Sequence, residues 1–268
     1  MTPEEPVPRG EAEALIEDFK VSTVFLTRLP AIWLAAEFIR PDFRRAARAF
    51  PLVGALVGAV GGLALVIAAG LHIPPLVAAA LAVMATMIFT GALHEDGLAD
   101  TVDGFGGGSD PERKLEIMDD SRIGTFGVSA VVFSILLRVG VLMSLLPHGA
   151  FRTGLVLVAA EAVSRGAVVR FWQELPAARL TGLAHETGPP DQNASATALI
   201  AGIVIAVALV WPAISFGAAL LGILLAALAT YIFGRLSYRE IGGRTGDTLG
   251  ACQQIALVAF LVGVAAAA

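Results

Sequence analysis

Acidic residues are concentrated between two apolar stretches of this 268-residue chain. Residues 94–127 read HEDGLADTVDGFGGGSDPERKLEIMDDSRIGTFG and contain nine carboxylates against three Lys/Arg. Carboxylates this dense repel one another unless cations compensate their charge. Oxygen ligands favour hard divalent cations, and Mg²⁺ typically binds through a few carboxylates together with substrate phosphates. The segment therefore indicates a site for such a cation, with a solvated acidic linker as the alternative interpretation.

The spacing of these acids predicts two acidic helix faces. Asp96, Asp100 and Asp103 stand at i, i+4 and i+7, so they share a face if the preceding apolar run continues as a helix. A second helix is predicted over residues 111–120, where Pro111 is a good start signal. Glu116 and Asp120 stand at i, i+4 on that helix. The glycine-rich turn 104–108 would join the two faces around a pocket lined by oxygen.

Charged residues outside this segment form two further candidate sites. The stretch 242–250 reads GGRTGDTLG, and Arg244 and Asp247 among its glycines suit phosphate binding, with a plain turn as the alternative. Glu161 and Arg165 lie at i, i+4 inside an apolar run. A charge at mid-membrane is costly, so the two residues either form an ion pair or Arg165 faces an anionic ligand.

Histidine and cysteine offer little for other kinds of chemistry. The four histidines form no pair at helical spacing, which argues against zinc, and a single cysteine excludes a disulfide framework. His94 adjoins the acidic motif. It is a candidate to orient a ligand or act as a base, and a hydrogen-bonding role is the alternative.

The elements that must position these residues are predicted to be membrane helices. Hydrophobic residues make up 56% of the chain and charged residues 15%, which excludes a water-soluble globule. We predict an all-α, polytopic helical bundle with about seven spans. Each span is long enough to cross the hydrocarbon with its backbone internally hydrogen-bonded. The predicted spans are 50–72, 75–93, 125–146, 152–171, 197–213, 216–234 and 250–267.

Charge along the chain predicts its orientation. Fifteen of the 18 Lys/Arg fall in the N-terminal region and in alternate connections, so these face the cytoplasm, together with the acidic loops. The C-terminus follows an odd number of spans and is predicted to lie outside. The net charge of −5 argues against a nucleic-acid partner. A homo-oligomer is compatible with the sequence.

The N-terminal region is predicted to lie at the membrane surface. Residues 11–39 mix acids with large apolar residues and indicate one or two interfacial helices bent at Pro30, with packing on the loops as the alternative. We divide the chain into residues 1–24, an extension with the start of the interfacial helix, and residues 25–268, a single membrane-embedded domain.

Several motifs, taken together, resemble one enzyme family. HEDGLADTVDG, LEIMDDSRIGTFG and GGRTGDTLGA are similar to signatures of the cobalamin synthases, the adenosylcobinamide-GDP ribazoletransferases. FLTRLP (25–30), FPLVG (50–54) and AVSRG (162–166) resemble further landmarks in the same order, so the similarity covers about 25–265. Glu95 departs from the family pattern, in which this position is usually apolar.

The resemblance implies a reaction and a location. Adenosylcobinamide-GDP is joined to α-ribazole, or to its 5′-phosphate, with release of GMP and formation of adenosylcobalamin or its 5′-phosphate. This is the final nucleotide-loop assembly of cobalamin biosynthesis. Mg²⁺ is required, and the enzyme lies in the bacterial cytoplasmic (inner) membrane as a multi-pass protein.

For that reaction we assign roles to the candidate residues. Mg²⁺ is expected on Asp96, Asp100 and Asp120, with Asp103 or Glu116 completing the shell or activating the attacking hydroxyl and Asp247 as a further ligand. Phosphate or departing GMP is expected to contact Arg122, Arg244 and Arg165. Arg28, in FLTRLP, is a further substrate-binding candidate, and His94 is a candidate catalytic residue.

Two other functions remain as alternatives. A lipid-forming CDP-alcohol phosphotransferase would carry a related acidic motif, but Ala99-Asp100 stands where that family has Ala-Arg. A secondary transporter would use Glu161 and Arg165 on an ion path and would show inverted repeats. No internal repeat is detectable in this sequence.

Overall fold

The structure is a computed structural model that describes residues 10–34, 42–179 and 188–268. The prediction of an all-α fold is confirmed for these residues, which contain helices, turns and a single isolated bridge between Ala177 and Arg244. Residues 1–9 of the predicted extension and residues 35–41 of the predicted interfacial segment lie outside the described residues.

Eleven α-helices, numbered here in chain order, make up most of the described fold. They are α1 Glu11–Leu26, α2 Phe43–Ala46, α3 Phe50–Gly70, α4 Pro75–Thr90, α5 Leu93–Gly107, α6 Pro111–Met118, α7 Thr125–Leu145, α8 Ala150–Glu174, α9 Gln192–Ala213, α10 Phe216–Ile241 and α11 Gly246–Ala266.

Helix α8 lies at the centre of the bundle and packs against α3, α9 and α11. Its contact with α3 depends on small residues, because membrane helices approach closely where side chains are absent. A Cβ atom added at Gly54 would collide with the carbonyl oxygen of Glu161, and one at Gly58 would lie 2.5 Å from the Cα atom of Val158. These glycines, spaced i and i+4, let the two backbones touch.

The chain bends by 90° between α4 and α5. Helix α4 ends at Thr90, and Gly91 and Ala92 follow in the left-handed conformation with φ of 68° and 56°. Glycine is the usual residue at this position after a helix, because it adopts positive φ at little cost. The predicted span 75–93 therefore ends early, and the acidic residues lie on a separate helix that starts at Leu93 after the bend.

The structure supports five or six membrane spans. Five segments are long and apolar enough to cross, and the bent pair of α4 and α5 makes a sixth if it counts as one span. Helix α8 matches the predicted span 152–171 but is not among them, because charged residues interrupt its apolar sequence. The predicted count of seven is not confirmed. The five segments are Phe43–Gly70, Thr125–His148, Gln192–Ala213, Phe216–Ile241 and Gly246–Ala266.

Helix α1 packs on the bundle through an acidic side chain. Asp18 is buried and accepts hydrogen bonds from Arg45 at 2.8 Å and Arg48 at 2.7 Å. Ser22 donates to the carbonyl of Ala46 at 2.9 Å. These contacts agree with the packing alternative, and the location of α1 at a membrane surface stays a prediction.

The glycine contact between α3 and α8 can be tested by adding one methyl group. Gly54→Ala is expected to destabilise the folded protein by about 1–3 kcal/mol, the usual cost of overpacking a tight interface. Gly140→Ala is the matched control, because a Cβ there meets no atom within 4 Å. Thermal unfolding in detergent measures both. Equal melting temperatures for the two variants would contradict the packing described.

Candidate active site

Helices α5 and α11 cross at two glycines, and this crossing builds the site. A Cβ atom at Gly97 would lie 2.7 Å from the carbonyl oxygen of Asp247, and one at Gly250 would lie 3.3 Å from that of His94. Backbones this close place the acidic face of α5 beside the first turn of α11. Residues from two of the candidate motifs, far apart in the sequence, thus meet at one place.

The acids at this crossing interact electrostatically. Asp96 is exposed, whereas Asp100 is half-buried. The pKa of Asp100 is raised to about 7, chiefly by burial and then by the negative charges of Asp96, Asp247 and Asp103. An approaching cation would favour the charged form of a carboxylate surrounded in this way. The negative charges of four of the five predicted metal ligands, Asp96, Asp100, Asp103 and Asp247, therefore lie near enough to act on one another.

Arg179 supplies positive charge to the same place, and the sequence analysis assigned it no role. Its guanidinium forms an ion pair with Asp119 and donates to the carbonyl of Leu115 at 2.7 Å. Its charge opposes the upward shift of the Asp100 pKa. In the sequence Arg179 is only a basic residue in a long connection, and no local motif marks it.

Asp103 and Asp120 make different contacts. Asp103 is buried and accepts hydrogen bonds from the backbone N–H groups of Gly124 at 2.6 Å and Gly127 at 2.8 Å, so it fastens the start of α7 to α5. Asp120 accepts hydrogen bonds from Arg122, which lower the pKa of Asp120 to about 2. Both carboxylates would have to exchange these contacts before binding a metal ion.

Helix α6 is shorter than predicted. It ends at Met118, two residues before Asp120, so Glu116 and Asp120 do not share a helix face and that expectation is wrong. Glu116 is exposed and pairs with Arg113 at 2.8 Å. Arg122 is also exposed apart from its pair with Asp120. Beyond the end of α6, the Asp120 carboxylate is instead bound by Arg122.

The carboxylates fit a hard divalent cation by their chemistry, although they are not gathered around one point. Among the described residues, no three His, Cys, Asp or Glu side chains form a group that could hold a metal ion as placed. Mg²⁺ commonly takes one or two carboxylates and completes its shell with water and substrate phosphates. The burial of Asp100, together with the negative charges of Asp96, Asp247 and Asp103, raises its pKa, and this clustering of acids is the observation that favours a cation here.

The loop 242–245 is docked on the end of α8. Arg244 is buried, and its Nε donates to the carbonyls of Trp172 at 2.9 Å and Leu175 at 3.1 Å. Burial lowers the pKa of Arg244 to about 10. Gly242 has φ of 74°, which ends α10 and turns the chain into this loop. These contacts give Arg244 a structural role, and its predicted contact with phosphate stays a prediction.

Arg28 lies where α4 ends. Its backbone N–H donates to the carbonyl of Phe89 at 2.8 Å, and its side chain lies against Gly91 in the space that a Cβ atom would need. The side chain is exposed. Arg28 therefore covers the bend that leads into the acidic helix, and its role in substrate binding stays a prediction.

A chain of buried polar groups lies beneath the site and connects four helices. Arg138 of α7 pairs with Glu95 of α5 at 2.9 Å, and Gln254 of α11 donates to the same carboxylate at 3.2 Å. Gln254 also donates to Gln253, at 2.8 Å. Gln253 in turn reaches the carboxylate of Glu161 on α8 at 3.2 Å. Glu95 thus has a buried partner of opposite charge.

Glu161 and Arg165 form the ion pair that their spacing predicts. Both side chains are almost completely buried within the bundle. His94, also buried, lies nearby, and burial together with the charges of Arg165 and Arg138 holds its pKa well below the usual range. A neutral imidazole in this position can accept or donate one hydrogen bond.

A cavity of about 240 Å³ opens beside the acids. Its polar wall contains His94, Asp96 and Asp247, and its aromatic wall contains Phe25, Phe50 and Trp172. The site therefore combines a charged end, suited to phosphate and metal, with an apolar end suited to a ring.

Comparisons with known proteins agree on one family. The family model described as cobalamin-5-phosphate synthase matches residues 18–265. A protein of Azorhizobium caulinodans named adenosylcobinamide-GDP ribazoletransferase is 46% identical over 252 residues, which cover 93% of this chain and 96% of the relative. Proteins of the same name from Rhizobium etli (43% identical, covering 94% of this chain and 99% of the relative) and Brucella anthropi (42%, 95% and 98%) are similar over comparable lengths. No solved structure matches the chain.

The buried pair of Glu95 and Arg138 can be tested by removing one partner and then both. Glu95→Ala is expected to cost about 3–5 kcal/mol of stability, because Arg138 is left buried and unpaired. Replacing both residues by leucine is expected to restore most of that loss. Arg113→Ala, which breaks the exposed pair with Glu116, serves as the control and should change stability by less than about 1 kcal/mol. If the double variant is no more stable than Glu95→Ala in thermal unfolding, the pair is not the cause.

Proposed function

Because this chain belongs to the cobalamin-5-phosphate synthase family, we propose that it joins adenosylcobinamide-GDP to α-ribazole, or to its 5′-phosphate, and releases GMP. The product would be adenosylcobalamin or its 5′-phosphate. The observation that supports this reaction is the meeting of Asp96, Asp100 and Asp247 beside a cavity with one charged and one aromatic wall.

The proposed step is the displacement of GMP from a diphosphate. A ribose hydroxyl of the acceptor forms a new bond to the phosphorus next to cobinamide, while the bridging oxygen leaves with GMP. The attacking hydroxyl is not the 5′ one, because a 5′-phosphate on the acceptor is retained in the product. Of the proposed bases, Asp103 and Glu116 are held in other contacts. We therefore place the proton acceptor among the carboxylates that line the cavity, Asp96 and Asp247.

We propose Mg²⁺ as the cofactor, held by Asp96, Asp100 and Asp247. When bound, the ion neutralises phosphate oxygens that otherwise repel the incoming hydroxyl. Asp103 and Asp120 stay proposed ligands, to be recruited after their present contacts are released. This division follows from the contacts already described: Asp96 and Asp247 line the cavity and act on Asp100, whereas Asp103 is held by α7 and Asp120 by Arg122.

Arginines are proposed to hold the diphosphate and the departing GMP. Arg179 is the best placed, because its charge already acts on Asp100 and Asp247. Arg122 is exposed on the loop that carries Asp120, and Arg28 is exposed over the bend before α5. Arg165 is buried in its pair with Glu161, so we assign it to positioning α8.

We propose that the protein lies in the bacterial cytoplasmic membrane with the site on the cytoplasmic side. Nucleotides are found there, and the predicted cytoplasmic connections hold most of the Lys/Arg. The 21 residues of α11 extend about 31 Å, one membrane thickness, from the site at Asp247 towards the C-terminus. Ala268 would therefore lie on the outer side, whatever the exact number of spans before it.

The metal assignment is tested by replacing acids with amides. Asp96→Asn and Asp120→Asn are expected to reduce GMP release by at least about 10- to 100-fold at limiting Mg²⁺, since even outer-shell changes at metal sites have effects of this size. Glu112→Gln, an exposed acid of α6, is the control and should behave as wild type. GMP is measured with purified protein, adenosylcobinamide-GDP and α-ribazole. Wild-type rates for both aspartate variants would overturn the assignment, and wild-type protein that releases no GMP would instead favour a CDP-alcohol phosphotransferase or a transporter.

The proposed orientation is tested with a reporter fused after Ala268. A reporter active only outside the cytoplasm is expected to be active there, whereas the same reporter placed in the acidic loop, after Ser109, should be silent. The second fusion is the control for expression and leakage. Cytoplasmic behaviour of the C-terminal fusion would mean that α11 does not run outward from the site.

A further inference from the structure

A second cavity, of about 430 Å³, lies on another face of α8 and shares no lining residue with the cavity beside the acids. Helices α8, α9 and α10 line it, and Ala167, Phe171, Leu199 and Ala227 make part of the lining apolar. Leu199 and Ala227 are also exposed. In a bundle embedded in a membrane, an opening with exposed apolar walls faces lipid. We call this cavity the lateral groove.

Two arginines line the lateral groove, and they differ in their partners. Arg170 forms an ion pair with Glu174 at 2.5 Å and donates a hydrogen bond to Gln173 at 3.2 Å. Arg235 is exposed and forms no ion pair or hydrogen bond with any residue that the structure describes. Because Glu174 is offset by Arg170, the described lining of the groove keeps one uncompensated positive charge, at Arg235.

Both arginines lie at the same level along the bundle. Arg235 follows Phe216, the first residue of α10, by about 29 Å, and Arg170 follows Ala150, the first residue of α8, by about 30 Å. Trp211 and Phe216 are exposed with ring centroids 5.6 Å apart, and exposed aromatic pairs are typical of a membrane–water interface. The hydrocarbon is about 30 Å thick, so the two arginines lie where the phosphates of the other leaflet begin.

Two tyrosines accompany Arg235 in the groove. Tyr231, Arg235 and Tyr238 stand at i, i+4 and i+7 on one face of α10, and all three line the groove. Both tyrosines are exposed. Tyrosine is enriched at the boundary between hydrocarbon and headgroups, and its hydroxyl can donate a hydrogen bond to a phosphate oxygen. The groove therefore has donors and a positive charge at one end and apolar walls along the rest.

We propose that the lateral groove binds an anionic phospholipid, with its phosphate on Arg235 and one acyl chain along the apolar lining. The planar guanidinium of arginine matches the geometry of phosphate. Basic pockets between membrane helices are known to bind anionic headgroups. This site requires the protein to lie in a membrane, but it does not depend on the proposed reaction.

Other occupants match fewer of these features. Free phosphate would pair with Arg235 but would leave Leu199 and Ala227 without a partner. The substrates are expected at the acids, because their diphosphate reacts there, and none of the acids of that cavity lines the groove. A phospholipid has both the anionic group and the chain, and the surrounding membrane supplies it.

The site is tested by counting the lipids that the protein retains. Full-length protein is reconstituted in nanodiscs of phosphatidylcholine and phosphatidylglycerol in equal parts, released, and analysed by native mass spectrometry. Wild-type protein is expected to retain phosphatidylglycerol in preference to phosphatidylcholine. Arg235→Gln is expected to lower the retained phosphatidylglycerol about 5-fold, the effect of one basic residue near a membrane surface.

The matched control is Arg239→Gln, which removes the same charge from the same helix. Arg239 is exposed, pairs with Glu240 and does not line the groove. This variant should retain phosphatidylglycerol as the wild type does. Equal losses in Arg235→Gln and Arg239→Gln would mean that anionic lipid is attracted to the basic surface in general, and would overturn the site.

A second variant tests the acyl chain without changing any charge. Ala227→Phe fills the apolar part of the groove from an exposed position, so it should leave the melting temperature in detergent unchanged. Retained phosphatidylglycerol should fall at least about 4-fold, the effect of losing one buried CH₂ group. Retention at the wild-type level would show that no chain lies in the groove.

Two further results in the same measurement would overturn the assignment. Displacement of the retained lipid by inorganic phosphate would mean that phosphate is recognised without its chains. A dimer that holds no phosphatidylglycerol and dissociates in Arg235→Gln would make a second copy of the chain the occupant. No step of this experiment uses GMP release, so failure of the proposed function would leave its outcome unaffected.

Discussion

The contact between Gly97 and Gly250 is the constraint on which the rest of the site depends. Any larger residue at Gly97 would meet the backbone of Asp247 at 2.7 Å and force α5 away from α11. Because the helices touch there, the acids of α5 reach Asp247, and the charges that raise the Asp100 pKa act together. The same contact closes one side of the cavity that ends at Trp172. One crossing thus determines both the charged and the aromatic part of the site.

The charged residues within and at the end of the bundle fall into two groups. Glu95, Glu161 and their arginine partners are paired and joined by glutamines, which is how ionisable groups are tolerated away from water. Asp96 is adjacent to Glu95 in the sequence, yet it lines the cavity, and its negative charge acts on Asp100 one helical turn away. Glu95, on the same helix, is paired with Arg138, whereas neither Asp96 nor Asp100 forms an ion pair with any residue that the structure describes. Burial of Asp100 close to other negative charges is unfavourable for stability, and binding of a cation would offset it.

The spacing of residues in the sequence predicted the features that depend on a single helix. It failed where contacts between residues far apart in the sequence determine the structure. Asp96, Asp100 and Asp103 do lie on one helix, and Glu161 does pair with Arg165, because both patterns depend only on helical geometry. The bend at Gly91 was missed, since a single glycine after an apolar run is not distinguishable from one inside it. Arg179 and Trp172 were missed for a different reason: each joins the site across more than sixty residues of sequence, and the residues around them form no motif.

The 90° bend explains how acids and a membrane bundle coexist. If α5 continued straight from α4, its three aspartates would lie in or cross the hydrocarbon. Each charge there costs about 2.5–3.5 kcal/mol or more. Turning α5 across the end of the bundle keeps its apolar side on α7 and α11 and leaves Asp96 exposed. Substrates with a charged diphosphate and an apolar ring need both environments within one cavity. At the end of the bundle, where α5 lies across α11, this chain offers them together.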